Sequence, residues 1–399
     1  MLTRELELSG AINLPLFFGN RFKRLLPNSS LVLVVCLMTG LKIMNMHSFS
    51  VFAVTVKFAT LFAGNYYFYQ IHSDYSRADQ VGEPSPILNF WSLAVEEQFY
   101  FLYPVLFTFL HAFLKISTAK MLFLFSVLIL TSFLFSAYSS DRAGAFFLIY
   151  GRAWQLLLGA SVSLFRKFDF IFQGQAENVI GIAGLTFILG AASWFNEETA
   201  HPGCPTLVPV CGTVLVLLVS SSSVVAKILS TDILTFLGDR SYSIYLWHYP
   251  CIIFSTIVFR QKFNTDIYSD ATSLFAVKLV SMLASLPIAC VAYESYENPV
   301  RRFKINPFIS LVITCCTVCG VLIFASVSKN TSTDQFTAIL STSNDDMLVG
   351  LVHCLFLCFF DLQSIFISIM LNMYTHLNAY LPLLTYLLTY LIRLVGKLR

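Results

Sequence analysis

The sequence predicts an all-α fold, a polytopic transmembrane helical bundle of about 9–12 spans, each near the ~20 residues a helix needs to cross a bilayer. Three observations predict it. The 399 residues are 57% hydrophobic, with a mean hydropathy of +0.73. Only 12% are charged, where a soluble domain carries about 25%. Apolar runs recur along the whole length and leave no stretch for a separate soluble domain.

Taken in order, residues 1–28 contain Arg4, Glu5, Glu7, Arg21, Lys23 and Arg24. They hold no apolar core of a cleavable signal, so the run near Leu31 is the first anchor. Candidate spans follow at 30–46, 51–66, 95–114, 121–138, 146–165, 178–195, 206–222, 243–259, 272–292 and 308–326. The 51–66 run is short and carries Lys57, so it reads equally as a re-entrant or interfacial helix. In the polar stretch 67–91, Gly82-Glu83-Pro84-Ser85-Pro86 stops any helix, and the next one starts at Trp91 or Ser92, with Ser92 as its cap. Residues 327–346 form a second polar break. The organisation is therefore a cytosolic segment 1–28 with a basic cluster, a membrane domain 29–326, a polar linker 327–346 and a hydrophobic extension 347–399 of unknown role. Arg21, Lys23 and Arg24 just before the first span place the N-terminus in the cytosol.

The net charge of +3 is scattered, which argues against nucleic acid as a partner, and the ten cysteines show no metal-ligand spacing. Cys315, Cys316, Cys319, Cys354 and Cys358 lie in apolar runs and read as small hydrophobes. Cys204 and Cys211 flank a polar loop and could pair in an oxidising lumen. Asn28 and Asn330 begin formal glycosylation sequons; the first lies too near the first span, on the cytosolic side, to be used.

Five constellations could carry chemistry. In "NFWSLAVEEQFYFLYP", Glu96 and Glu97 are adjacent at the head of an apolar helix, and Glu96 shares a face with Tyr100. Two acids at a helix N-terminus are favoured by the macrodipole alone, but ionisable groups at membrane depth also mark internal polar sites. In "LGDRSYSIYLWHYP", His248 stands between Trp247 and Tyr249, where an aromatic belt explains the neighbours without chemistry. Arg152, inside a predicted span, must be paired or face water, with Glu96 or Glu97 as the expected partner. "YESYENPVRRFK" reads as a structural helix end, with Glu297 and Arg301 as a local pair. The Arg21, Lys23, Arg24 cluster serves topology, and could also hold donor phosphates.

Together and in order, "NRFKRLLP", "NFWSLAVEEQFYFLYP", "GRAWQLLLGA", "FLGDRSYSIYLWHYP" and "YESYENPVRR" resemble the signature segments of acyltransferase family 3, over roughly residues 1–305. These are integral-membrane O-acyltransferases, including bacterial O-antigen and peptidoglycan acetylases and animal relatives. The resemblance implies transfer of an acyl group, commonly acetyl, from cytosolic acyl-CoA as co-substrate to a hydroxyl on a glycan, lipid or small molecule across the membrane. No bound cofactor or metal is implied. The carried-over positions are Arg21 and Arg24 for the donor, and Glu96, Glu97, Arg152 and His248 as site residues. Relatives begin with two further spans before the segment that "LTRELELSGAINL" resembles, the first bearing an arginine and a histidine regarded as the catalytic pair. The expectation is that this chain lacks both, as an incomplete version of an active enzyme or as a short form without ordinary activity. The alternative is a catalytically inactive membrane protein that binds or carries lipid or a hydrophobic ligand.

Overall fold

The computed structural model describes residues 12–73, 84–165, 174–196, 199, 201–263, 271–302 and 319–321. The predicted span at 308–326, apart from 319–321, the linker 327–346 with Asn330, and the extension 347–399 lie outside the described residues.

Every regular element there is a helix. They are α1 Leu14–Ile43, α2 Met46–Thr60, α3 Gly64–Ser73, α4 Phe90–Thr108, α5 Thr118–Tyr138, α6 Arg142–Phe147 and α7 Ile149–Phe165. Then come α8 Gln175–Trp194, α9 Leu207–Leu218, α10 Val224–Leu229, α11 Asp232–Phe263, α12 Ala271–Ala292 and α13 Asn298–Arg302. Among the described residues six segments are long and apolar enough to cross a membrane: α1, α5, α6 with α7, α8, α11, and α12 running on through α13. The chain is an integral, multi-pass membrane protein.

Local chemistry sets the ends. Asn13 Oδ1 accepts from the Leu16 amide at 3.0 Å, with Pro15 in the first turn of α1. Asn45, Asp141 and Ser223 cap α2, α6 and α10 in the same way. The expected cap at Ser92 is not formed. The helix opens at Phe90, and the Ser92 hydroxyl is engaged instead with Tyr245 of α11. Hydropathy alone also makes α1 and α11 too short. Both extend as helix into polar sequence, so the Arg21, Lys23, Arg24 cluster stands on the same helix as the first span. Two π-turns, Phe109–Phe113 following α4 and Tyr293–Glu297 joining α12 to α13, interrupt the α-helical pattern.

Two apolar cores organise the bundle. One joins Val32, Leu33, Leu37 and Leu41 of α1 to Phe49 and Phe52 of α2, Leu93 of α4, and Leu246 and Phe254 of α11. The other joins Phe17 of α1 to Phe99 and Phe107 of α4, Phe125 of α5, and Leu157 and Leu164 of α7. Among the described residues, only α1 and α4 place buried side chains in both cores. The sequon residue Asn28 is fully buried between α1 and α11, so its amide cannot carry a glycan. Cys204 and Cys211 are unpaired. They sit seven residues apart along helical backbone, roughly 10 Å of rise, beyond the reach of a disulfide.

α8 and α9 pack through glycines. A Cβ on Gly184 would meet the Gly212 carbonyl oxygen at 2.7 Å, and one on Gly212 would meet that of Gly184 at 2.6 Å. Small residues let helix backbones approach closely in the bilayer. Gly184→Ala is expected to cost about 1–3 kcal/mol by overpacking, read as a lower thermal midpoint in detergent. An unchanged midpoint would show that the two helices can part without loss.

Candidate functional site

The site is built on α4. Arg21 of α1 reaches across to Glu97: Nη2 lies 2.6 Å and Nε 3.0 Å from Oε1. Both side chains are largely buried, at 16% and 7% exposure. The guanidinium also lies 3.3 Å over the ring of Tyr100, one turn beyond Glu97. Glu97 and Tyr100 thus share the inward face, whereas four-residue spacing alone puts Glu96 with Tyr100 and Glu97 off that face. Glu96 is exposed and within electrostatic reach of Tyr245. The helical period fixes the angle between neighbours but not which of them turns inward. Beside the ion pair opens a cavity of about 390 Å³, lined among others by Phe18, Arg21, Phe22, Glu97, Tyr100 and Phe101.

The following residue, Gln98, belongs to the scaffold. Its amide exchanges hydrogen bonds with Asn65 of α3 at 2.8 and 3.2 Å and donates to the Phe62 carbonyl at 2.9 Å. Asn65 also donates to the Phe147 carbonyl at 3.2 Å. Both amides are satisfied, which locks α3, α4 and α6 together.

Two turns back along α4, Trp91 meets Arg152 of α7, whose Cζ lies 5.2 Å from the indole and 4.8 Å from the ring of Phe146. Arg152 does not pair with Glu96 or Glu97. Its Nε donates to the Phe146 carbonyl at 3.0 Å, and its Nη1 lies 3.2 Å from Nε2 of His201. Glu97 is taken by Arg21, and Arg152 finds a neutral acceptor instead. His201 Nδ1 is in turn 3.1 Å from the Thr206 hydroxyl. Partial desolvation, and then the neighbouring Arg152 charge, push His201 down to about 4. The imidazole therefore stays neutral until pH falls through that value, and it keeps a lone pair for the arginine.

α11 closes the third side. Asn89 Nδ2 donates to the Tyr245 carbonyl at 2.7 Å, the Tyr245 hydroxyl donates to the Asn89 carbonyl at 2.7 Å, and Ser92 bonds that same hydroxyl. His248, one turn on, has Nδ1 2.7 Å from the Tyr245 carbonyl. That contact requires the proton on Nδ1, and Nε2 has no partner among the described residues.

Arg24 is exposed and does not share Arg21's carboxylate. Glu297 does not pair with Arg301 as the i, i+4 spacing suggests. It is buried at 1% exposure and accepts from Asn28 Nδ2 at 2.8 Å and Ser243 Oγ at 2.7 Å. Arg301 donates to the Tyr293 hydroxyl. The structure thus gathers Arg21, Glu97 and Arg152 around α4, with Glu96 on its exposed side; His248 stands one turn beyond the Tyr245 contact with the head of α4, and Arg24 lies outside. Sequence reasoning misses His201, although it stands in the polar "HPGCP" turn between two apolar helices. It also misses the Asn28–Ser243–Glu297 lock, for which no local signal exists.

Among the described residues no group of three or more His, Cys, Asp or Glu side chains is placed to hold a metal ion. A family model described as an acyltransferase domain matches residues 6–294. The peptidoglycan O-acetyltransferase OatA of Listeria monocytogenes is 27% identical over 332 residues, 78% of this chain and 49% of that protein. The O-acetyltransferase OatA of Staphylococcus aureus is 27% identical over 324 residues, 77% of this chain and 51% of that protein. The putative peptidoglycan O-acetyltransferase YrhL of Bacillus subtilis is 28% identical over 244 residues, 58% of this chain and 37% of that protein. The chain spans about half the length, or less, of these curated relatives. No solved structure matches it.

Proposed function

The chain belongs to acyltransferase family 3, and from that premise we propose that it is a membrane O-acyltransferase carrying an acetyl-sized group from acyl-CoA to a glycan hydroxyl. The observation that carries this reading is the approach of three helices to α4: Arg21 of α1 reaches Glu97, Arg152 of α7 reaches Trp91, and Tyr245 of α11, one turn before His248, bonds Asn89 at its head. The relatives' names supply the acetyl group and the peptidoglycan hydroxyl as the kind of acceptor.

In the proposed reaction the acceptor oxygen attacks the acyl carbonyl carbon, its proton leaves to a base, and the oxyanion collapses to expel the thiolate. Within the described residues His248 is the proposed base, acting through Nε2, since Nδ1 is committed to the Tyr245 carbonyl. Arg152, held by a carbonyl and a neutral imidazole rather than a carboxylate, keeps its full charge available for the developing oxyanion. The Arg21–Glu97 pair shapes the adjoining cavity. Arg24, exposed on the same helix and near the cytosol, meets donor phosphate.

The test is the full chain in vesicles with radiolabelled acetyl-CoA and a muropeptide acceptor, scoring alkali-labile label on the glycan. No transfer above empty vesicles would sink the proposal. In the same assay Arg24→Ala is expected to raise KM for the donor roughly ten- to hundredfold with little change in kcat, the loss of one charge-assisted contact. An unchanged donor KM would remove Arg24 from the donor site.

A further inference from the structure

We propose that His201, in the turn before α9, is a positioning residue that holds Arg152 by its lone pair and so fixes where the guanidinium presents its free edge. The inference rests on the reading above, in which Arg152 steadies the acyl oxygen. Of the guanidinium nitrogens, Nε and Nη1 are both committed, to the Phe146 carbonyl and to His201 Nε2. Nη2 has no hydrogen bond among the described residues. The rings of Trp91 and Phe146 limit rotation of the plane. A planar fork held at two nitrogens can swing little, so its third nitrogen is presented in one direction.

His201 suits this task because it is anchored at its other end. With Nε2 accepting from the cation, Nδ1 must carry the proton and donate to Thr206 Oγ1 at 3.1 Å. Thr206 is buried and its hydroxyl also accepts from the Gly203 amide at 3.3 Å, so the turn holds the threonine that holds the histidine. The Phe146 ring packs edge-on against the imidazole at 5.9 Å between centroids. An imidazolium could not accept from Arg152, and the desolvation that keeps this ring neutral around pH 7 maintains the contact. Arg152 is thereby fixed by a neutral partner, which leaves its charge undiminished, where a carboxylate would have cancelled it.

The test compares His201→Phe with His201→Gln in the full chain. Glutamine can accept from Arg152 through Oε1 and donate to Thr206 through Nε2; phenylalanine can do neither. Two readouts are taken: acetyl transfer, and the rate at which phenylglyoxal modifies Arg152, resolved by peptide mass spectrometry. His201→Phe is expected to lower kcat about ten- to hundredfold with the acceptor KM little changed, and to raise Arg152 labelling severalfold. His201→Gln is expected to restore most of both. If the phenylalanine variant labels Arg152 at the wild-type rate, or if glutamine behaves like phenylalanine in both readouts, His201 does not position Arg152. If the wild type transfers nothing but the labelling contrast persists, the positioning stands and the acyltransferase reading falls.

Discussion

Glu97→Leu alone is expected to destabilise the protein by about 3–5 kcal/mol, the cost of leaving one partner of a buried ion pair uncompensated. Arg21, with 16% of its side chain exposed, would then face an aliphatic side chain and keep the Tyr100 ring and the more distant charge of exposed Glu96. Arg21→Met alone should be comparably damaging, since the Glu97 carboxylate would be stranded at 7% exposure. The double variant Arg21→Met with Glu97→Leu should recover most of the lost stability, because an apolar pair of similar volume carries no desolvation cost. Thermal midpoints of the four proteins in one detergent make the comparison. Additive losses in the double variant would show that the two groups do not compensate each other. Transfer is expected to stay low in all three variants, because the cavity beside the pair loses its polar wall whether or not the fold recovers.

Arg152→Gln is expected to lower kcat about 100- to 1000-fold, the range found when one preorganised donor to a developing oxyanion is removed. Arg152→Lys should recover little of this. An ammonium has no planar fork with which to meet the Phe146 carbonyl and His201 together while presenting a third nitrogen to substrate. Single-turnover rates with saturating donor separate this loss from weaker binding. Wild-type rates in the lysine variant would mean that charge alone suffices, and the oriented edge of the guanidinium would have no part in the reaction. Arg152→Gln should also raise the titration midpoint of His201 from about 4, since one of the two influences depressing it would be gone, with desolvation remaining.

The fold class is legible in the sequence because it rests on bulk composition. Hydropathy locates the apolar centres of α5, α7 and α8 to within a few residues. It fails at α1 and α11, where the helix continues through Arg21 and Asp239 beyond the apolar signal. Backbone hydrogen bonds carry a helix past the membrane boundary, while a hydropathy reading sees only side chains. The site is legible as a set of residues but not as a set of partners. Attraction of opposite charges assigns Arg152 a carboxylate, yet the glutamate goes to Arg21, 76 residues away along the chain. Local spacing assigns Glu297 to Arg301, and tertiary contacts with Asn28 and Ser243 override it. His201 has no motif around it. Its role depends on a turn folding back over α7, which pattern along the chain does not record.

The sharing of α1 and α4 between the two apolar cores has a consequence for how the protein comes apart. Phe17 and Phe99 are embedded in one core, Val32 to Leu41 and Leu93 in the other. Neither cluster can melt without withdrawing part of a helix from its neighbour, and the Arg21–Glu97 contact lies on the stretch between them. Separate unfolding of two subdomains is therefore closed to this region, which should lose its structure as one cooperative unit.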